Sequence, residues 1–98
     1  MSDLQFEWDP RKAAENERRH GVSFPEAVTV FYDDHALLID DPDHSTEEER
    51  VILLGFSAKL RVLVVVHAYR AHDEIIRLIS ARKATRPERA RYDERRPR

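Results

Sequence analysis

The chain contains no cysteine, which excludes disulfides, thiolate metal centres and cysteine nucleophiles together. Glycine occurs only at Gly21 and Gly55, too sparsely for a Gly-rich loop that cradles phosphates. Apolar runs are short; none approaches the ~20 residues that span a bilayer, and the N-terminus has no secretory pattern. A cytoplasmic protein without a membrane segment is expected. The five histidines, at 20, 35, 44, 67 and 72, include no H-x-x-x-H pair. The acidic loop from Asp40 to Glu49 offers oxygen ligands in its DDPDH segment, but lacks the EF-hand spacing and its glycine. No functional metal or other cofactor is expected. Ser80 has no hydrolase elbow around it.

What is present is charge. At 98 residues the chain suits one domain with a single modest core, 41% hydrophobic and 37% charged. The net charge of -2 conceals an asymmetry: from Glu74 onward there are 9 Lys/Arg against 4 Asp/Glu, and before it 8 against 15. One end can face a polyanion while the other repels it, or the charge can simply solvate a C-terminal helix and tail.

Gln5 to Trp8 reads as a short strand. Asp9-Pro10 then opens a helix, with Asp as N-cap and Pro at N1, running to about His20 and stopping at Gly21. Its apolar content is poor, so it should lie on the surface with Lys12, Arg18 and Arg19 in solvent. Ser23 and Glu26 have capping-box spacing, Val22 is placed to staple to Ala27, and Phe24, Ala27, Val28 and Phe31 form a core-facing stripe. Strands follow at Ala36–Ile39, Val51–Phe56, Val62–Ala68 and Ile75–Ala81. Their short connections, including a Ser57–Leu60 turn, predict an antiparallel meander. The order β-α-α-β-β-β-β-α makes an α+β domain over residues 1–98, mostly antiparallel with helices packed on one face. In the third long strand, the Val62, Val64, Val66, Ala68 row should face the helices, leaving Arg61, His67 and Tyr69 on an open working face. The Arg-rich tail from about residue 94 should fray.

The most informative stretch is Asp73–Tyr92, read as a strand covered on both faces, a basic turn and a helix. Arg82 and Lys83 stand where the strand leaves the core. Thr85 and Glu88 form a capping box with Pro87 in the first turn. Two cations beside a helix N-terminus are the makings of a phosphate site.

Three stretches, FEWDPRKAAENERRHGVSF, EERVILLG and ISARKATRPERARY, resemble the BrnT family of bacterial type II toxins over nearly the whole chain and in the same order. The resemblance implies a RelE-like fold and a ribonuclease that inhibits translation. It further implies neutralisation by a BrnA-like antitoxin, a DNA-binding protein of ribbon-helix-helix type, in a heterotetramer of two toxins and two antitoxins. Arg50 in EER and Arg82 in SAR transfer first, and His20-Gly21 also matches. Arg19 stands where relatives carry Lys, and His67 where another aromatic is expected.

Cleavage through the 2′-hydroxyl of RNA needs a base, charge stabilisation at phosphorus, and an acid for the leaving 5′ oxygen, none requiring a metal. Arginine suits the middle task because its planar fork grips phosphate and stays charged. Arg50 and Arg82 are the candidates, with Arg61 as a third, unless they pair with Glu47–Glu49. For proton transfer the candidates are Glu49, a base or an orienting partner, and His20, a general acid or a plain helix cap. Lys12, Arg19, Arg61, Lys83, Arg86 and Arg89 are the expected RNA contacts. Tyr92 either stacks on a base or anchors the last helix. Two functions therefore stand: a metal-independent endoribonuclease toxin, and a non-catalytic module whose basic end docks nucleic acid or an acidic partner.

Overall fold

A computed structural model describes residues 4–40, 49–70, 72 and 74–95. Eight elements follow the expected order: β1 (Gln5–Glu7), α1 (Pro10–His20), α2 (Phe24–Val30), β2 (Leu37–Asp40), β3 (Arg50–Phe56), β4 (Val62–Arg70), β5 (Ile75–Lys83) and α3 (Arg86–Arg95). The strands form one sheet in the order β1-β5-β4-β3-β2. Every neighbouring pair is antiparallel except β1 and β5, which run parallel from Gln5↔Ile75 to Glu7↔Arg77. The acidic residues 41–48, with most of the DDPDH segment, and the tail beyond Arg95 lie outside the described residues.

Local chemistry sets the helix ends. The Asp9 carboxylate accepts from the Arg11 amide at 2.8 Å, and Pro10 occupies the first turn. At the other end Gly21 takes φ +68° and donates its N–H to Glu17 at 2.8 Å, a left-handed stop that a side chain would resist. α2 starts with the Ser23 hydroxyl accepting from the Glu26 amide at 3.1 Å. The reciprocal half of that box is missing. The Glu26 carboxylate turns instead to Arg61 and Ser57, where a charge-assisted bond outweighs a neutral one. α3 has the complete box: the Thr85 amide donates to Glu88 at 2.8 Å and the Glu88 amide donates to the Thr85 hydroxyl at 3.4 Å.

The main core lies between one face of the sheet and α2, with Val22, Phe24, Ala27, Val30, Leu53, Leu63, Val65, Ile76, Leu78 and Ala81 buried together. Burying one of its Val, Leu, Ile or Phe side chains contributes roughly 1.5–3 kcal/mol. Gly55 permits the close approach, because a Cβ there would meet Val30 Cγ1 at 2.8 Å. Trp8 packs edge-on to Phe24, and Phe6 to Phe31, sealing the β1 side. α1 is tied to β5 by Asn16, 7% exposed, whose amide donates to Ala81 O at 2.8 Å and accepts from Ala81 N at 3.1 Å. It occupies the edge of β5 as a neighbouring strand would.

Two expectations are corrected. The row of β4 that faces α2 is Leu63, Val65 and His67, not Val62, Val64 and Val66. His67 is fully buried, edge-on to Phe31 at 4.8 Å, and its Nδ1–H points at Val65 O at 3.2 Å. Burial holds this imidazole below its ordinary pKa, so it is neutral and structural. The helices also divide between the faces. α1 and α2 share one, whereas α3 places Tyr92 on the other, in a second cluster with Leu54 and Val64. A bulge between Val66 and His67 shifts the pairing, so Ala81 and Leu78 face the same core although three positions apart.

Candidate nucleic-acid interface

The α3 face of the sheet carries the arginines singled out by the sequence. Register places Leu54, Val64 and Arg82 in one cross-strand row, Ile52, Val66 and Ser80 in the next, and Arg50, Ala68 and Arg77 in a third. Tyr92 covers the Leu54–Val64 end. Toward the other end Arg50, Ile52, Val66, Ser80 and Arg77 are only half-buried. β3 and β5 stand two strand spacings apart, about 10 Å, so long side chains on Arg50 and β5 can approach one phosphodiester above β4.

Arg50 opens β3 directly after the exposed Glu49. Its Nε is buried and makes no hydrogen bond among the described residues. Beside it Ala68 is 1% exposed, so the Arg50 stem sits over a small, apolar floor. An unmet buried N–H costs about 1–3 kcal/mol, which an anionic acceptor would recover.

Arg82 is differently placed. Its fork donates to both oxygens of Glu88 at 2.8 and 3.0 Å and touches Lys83 O at 3.3 Å. That guanidinium, with the Thr85 amide and hydroxyl, holds the Glu88 carboxyl at about 2 against the opposing effect of burial. The arrangement fixes the start of α3 and spends much of Arg82's hydrogen-bonding capacity. Arg61 is more firmly committed. It donates through Nε to Glu26 at 3.0 Å, through Nη2 to the other oxygen of the same carboxylate, and to Gly21 O at 3.0 Å. This pairing lowers the Glu26 pKa. Arg61 thus clamps α1, α2 and β4 together and is no open-face residue.

Tyr92 is 1% exposed and donates its hydroxyl to Asp33 Oδ2 at 2.6 Å, so it anchors α3 and is unavailable for base stacking. Burial alone would raise the Asp33 carboxyl, but the Tyr92 hydroxyl and the amides of Phe56 and His35 together bring it below its ordinary value. The remaining candidates are surface groups. Lys12, Arg19 and His20 line a cleft of about 170 Å³ between α1 and β5 with Ser80 and Ile79. Arg19 also pairs with Glu15 at 3.7 Å. Lys83, Arg86 and Arg89 are exposed at the β5–α3 corner. His20 and Glu49 do not converge: His20 flanks the outer edge of β5, whereas Glu49 precedes β3 on the far side of β4.

Two residues went unnoticed in the sequence. Asn16 reads as one more polar position on a surface helix, yet it bridges α1 to β5. Arg77 is a cation flanked by Ile76 and Leu78 within β5, which could have marked it. It stands in register with Glu7, which accepts from Arg70 at 2.7 Å. Among the described residues no three His, Asp or Glu side chains are grouped to hold a metal ion, and no helix is long and apolar enough to cross a membrane.

These features define a small α+β domain that carries Arg50, Arg77 and Arg82 on one face of its sheet. The family model for the ribonuclease toxin BrnT of type II toxin-antitoxin systems matches residues 8–88, and this chain belongs to that family. The crystal structure of the Brucella abortus ribonuclease toxin BrnT superposes with a TM-score of 0.63, covering 86% of this chain and 100% of that one at 21% sequence identity. No protein of curated function matches. A toxin of a type II system implies an antitoxin partner.

Proposed function

We propose that this chain is a metal-independent endoribonuclease that inhibits translation in the cytoplasm. A BrnA-like antitoxin of ribbon-helix-helix type silences it in an assembly of two toxins and two antitoxins. The carrying observation is Arg50, whose buried Nε–H has no acceptor among the described residues, on the half-buried end of the sheet face. A scissile phosphate seated there supplies that acceptor. As the 2′ oxygen attacks phosphorus, the added negative charge falls on the non-bridging oxygens, where a fixed guanidinium is most effective. Glu49, adjacent to Arg50, is the nearer group to take the 2′ proton. His20 serves the leaving oxygen only if the RNA spans from the α1 cleft across β5. Lys12, Arg19, Lys83, Arg86 and Arg89 hold the flanking phosphates, and Arg82 joins them where a phosphate displaces Glu88.

A non-catalytic binding module is the second reading, favoured by the ion pairs that occupy Arg61 and Arg82. Cleavage of RNA by the purified toxin in EDTA discriminates the two. Products ending in a 2′,3′-cyclic phosphate are expected. Activity lost in EDTA and restored by magnesium would overturn the metal-independent mechanism, and RNA bound but never cut would favour the module.

A further inference from the structure

The β3–β4 turn holds a residue that folding alone does not explain. The Leu60 amide donates to Ser57 O at 2.9 Å and the Ser57 amide to Arg61 O at 2.8 Å, closing a tight hairpin. In this hairpin Leu60 adopts φ +63°, a position where glycine or asparagine relieves the clash with Cβ. Its side chain is also 75% exposed, so it gains little from its own fold. A strained backbone that presents a bare leucine to water points to an external contact.

The surroundings fit one. Leu60 borders a groove of about 350 Å³ floored by Phe56, Val62 and Ala84 and rimmed by Lys83 and Arg89. Lys59, also exposed, sits beside Leu60 at the tip. Arg61 contributes no free fork because Glu26 holds it. The groove thus offers an apolar floor with a cationic rim, complementary to a segment that alternates apolar and acidic side chains.

We propose that this hairpin tip and groove dock an acidic, amphipathic segment of the antitoxin, with Leu60 as the apolar anchor. The proposal rests on the presence of an antitoxin partner and adds where, and by what chemistry, that partner binds. It separates the Leu60 anchor from the Arg50 end of the sheet, since β3 and β4 run from the hairpin toward Arg50 at the opposite end, and shares only the rim cations Lys83 and Arg89 with the proposed phosphate contacts.

The test titrates purified cognate antitoxin into wild-type toxin, Leu60→Asn and Leu60→Gly. Both substitutions suit the left-handed backbone, so both should unfold at or above the wild-type temperature. Antitoxin binding should weaken about tenfold or more, as for an apolar interface anchor. RNA cleavage by the free toxin should be unchanged, and wild-type affinity for antitoxin should fall as salt rises. Antitoxin affinity of both variants within about twofold of wild type would overturn the proposal. So would a loss of RNA cleavage with antitoxin binding intact, which would make this an RNA surface. Concentration-dependent pairing of wild-type toxin alone, abolished in both variants, would assign the groove to a second copy instead. If wild-type toxin itself failed to bind the antitoxin, the partner assignment would fall before the docking site did.

Discussion

Replacing Arg50 by methionine sets stability against activity. Methionine keeps a long flexible stem over Ala68, so most packing survives. It removes a guanidinium whose Nε is buried without an acceptor among the described residues. Relief of that unmet group is worth about 1–3 kcal/mol, less whatever the stem loses in fit. A domain of this size gains roughly 4–8 °C in unfolding temperature for each kcal/mol. Arg50→Met should therefore unfold at the wild-type temperature or several degrees higher. If Arg50 stabilises the transition state, the same change should slow RNA cleavage by about a hundred- to thousand-fold, or 3–4 kcal/mol. Thermal unfolding and single-turnover cleavage in EDTA measure the two effects on one preparation. A purely structural arginine gives the opposite pattern. Destabilisation by more than about 1 kcal/mol with cleavage intact would show that Arg50 is held by a carboxylate and not aimed at phosphate.

Three further outcomes are expected. Tyr92→Phe removes a bond to a charged acceptor and should cost about 1.5–3 kcal/mol, read by urea denaturation; a smaller loss would mean that Asp33 is fully served by its two amide donors. His67 is held neutral by burial, so its stabilising contribution is complete above its ordinary value of 6.5 and declines as pH falls below it toward the lower folded pKa. In that window wild type should lose up to about 1.4 kcal/mol per pH unit more than His67→Phe, and parallel stability profiles for the two proteins would refute the assignment. Glu88→Gln releases the Arg82 fork and should tighten RNA binding and steepen its salt dependence by roughly 0.7 in the log–log slope, one added phosphate contact. An unchanged slope would leave Arg82 a purely structural group, its pair with Glu88 intact at neutral pH and lost only as pH falls from 4.5 toward about 2.

The parts of the fold that were legible in the sequence are those encoded locally. Asp9-Pro10, Gly21, Ser23 and the Thr85–Glu88 box each mark a helix end within four residues of chain, and each acts where it was expected. The strands begin or end within two residues of the expected bounds, because Gly, Pro and charge clusters interrupt the apolar runs. What failed depends on contacts remote in sequence. β4 is apolar on both rows, V-L-V-V-V-H-A-Y, so its alternation could not tell which row faces α2. The bulge beside His67 then reverses the parity of β5 without any glycine to announce it. Tyr92 meets Asp33 from 59 positions away, and Asn16 meets Ala81 from 65. No window of sequence contains either pair.

The same long-range pairings sort the cations. A positive residue in a strand is ambiguous until its acceptors are counted, since one guanidinium can clamp a fold or grip a ligand but seldom does both fully. Arg61 spends its fork on Glu26 and Gly21, Arg82 on Glu88, and Arg70 has Glu7. Each carboxylate sits on a different element from its arginine, so each pair joins two parts of the fold and has a structural task. Arg50 lies on the same sheet face as Arg82, yet its buried N–H has no such acceptor among the described residues. Burial without a partner is unfavourable in the free protein and favourable once an anion arrives, a difference that can be used for binding. By that accounting Arg50, rather than the better-ordered Arg82, is the residue on which RNA cleavage should depend most.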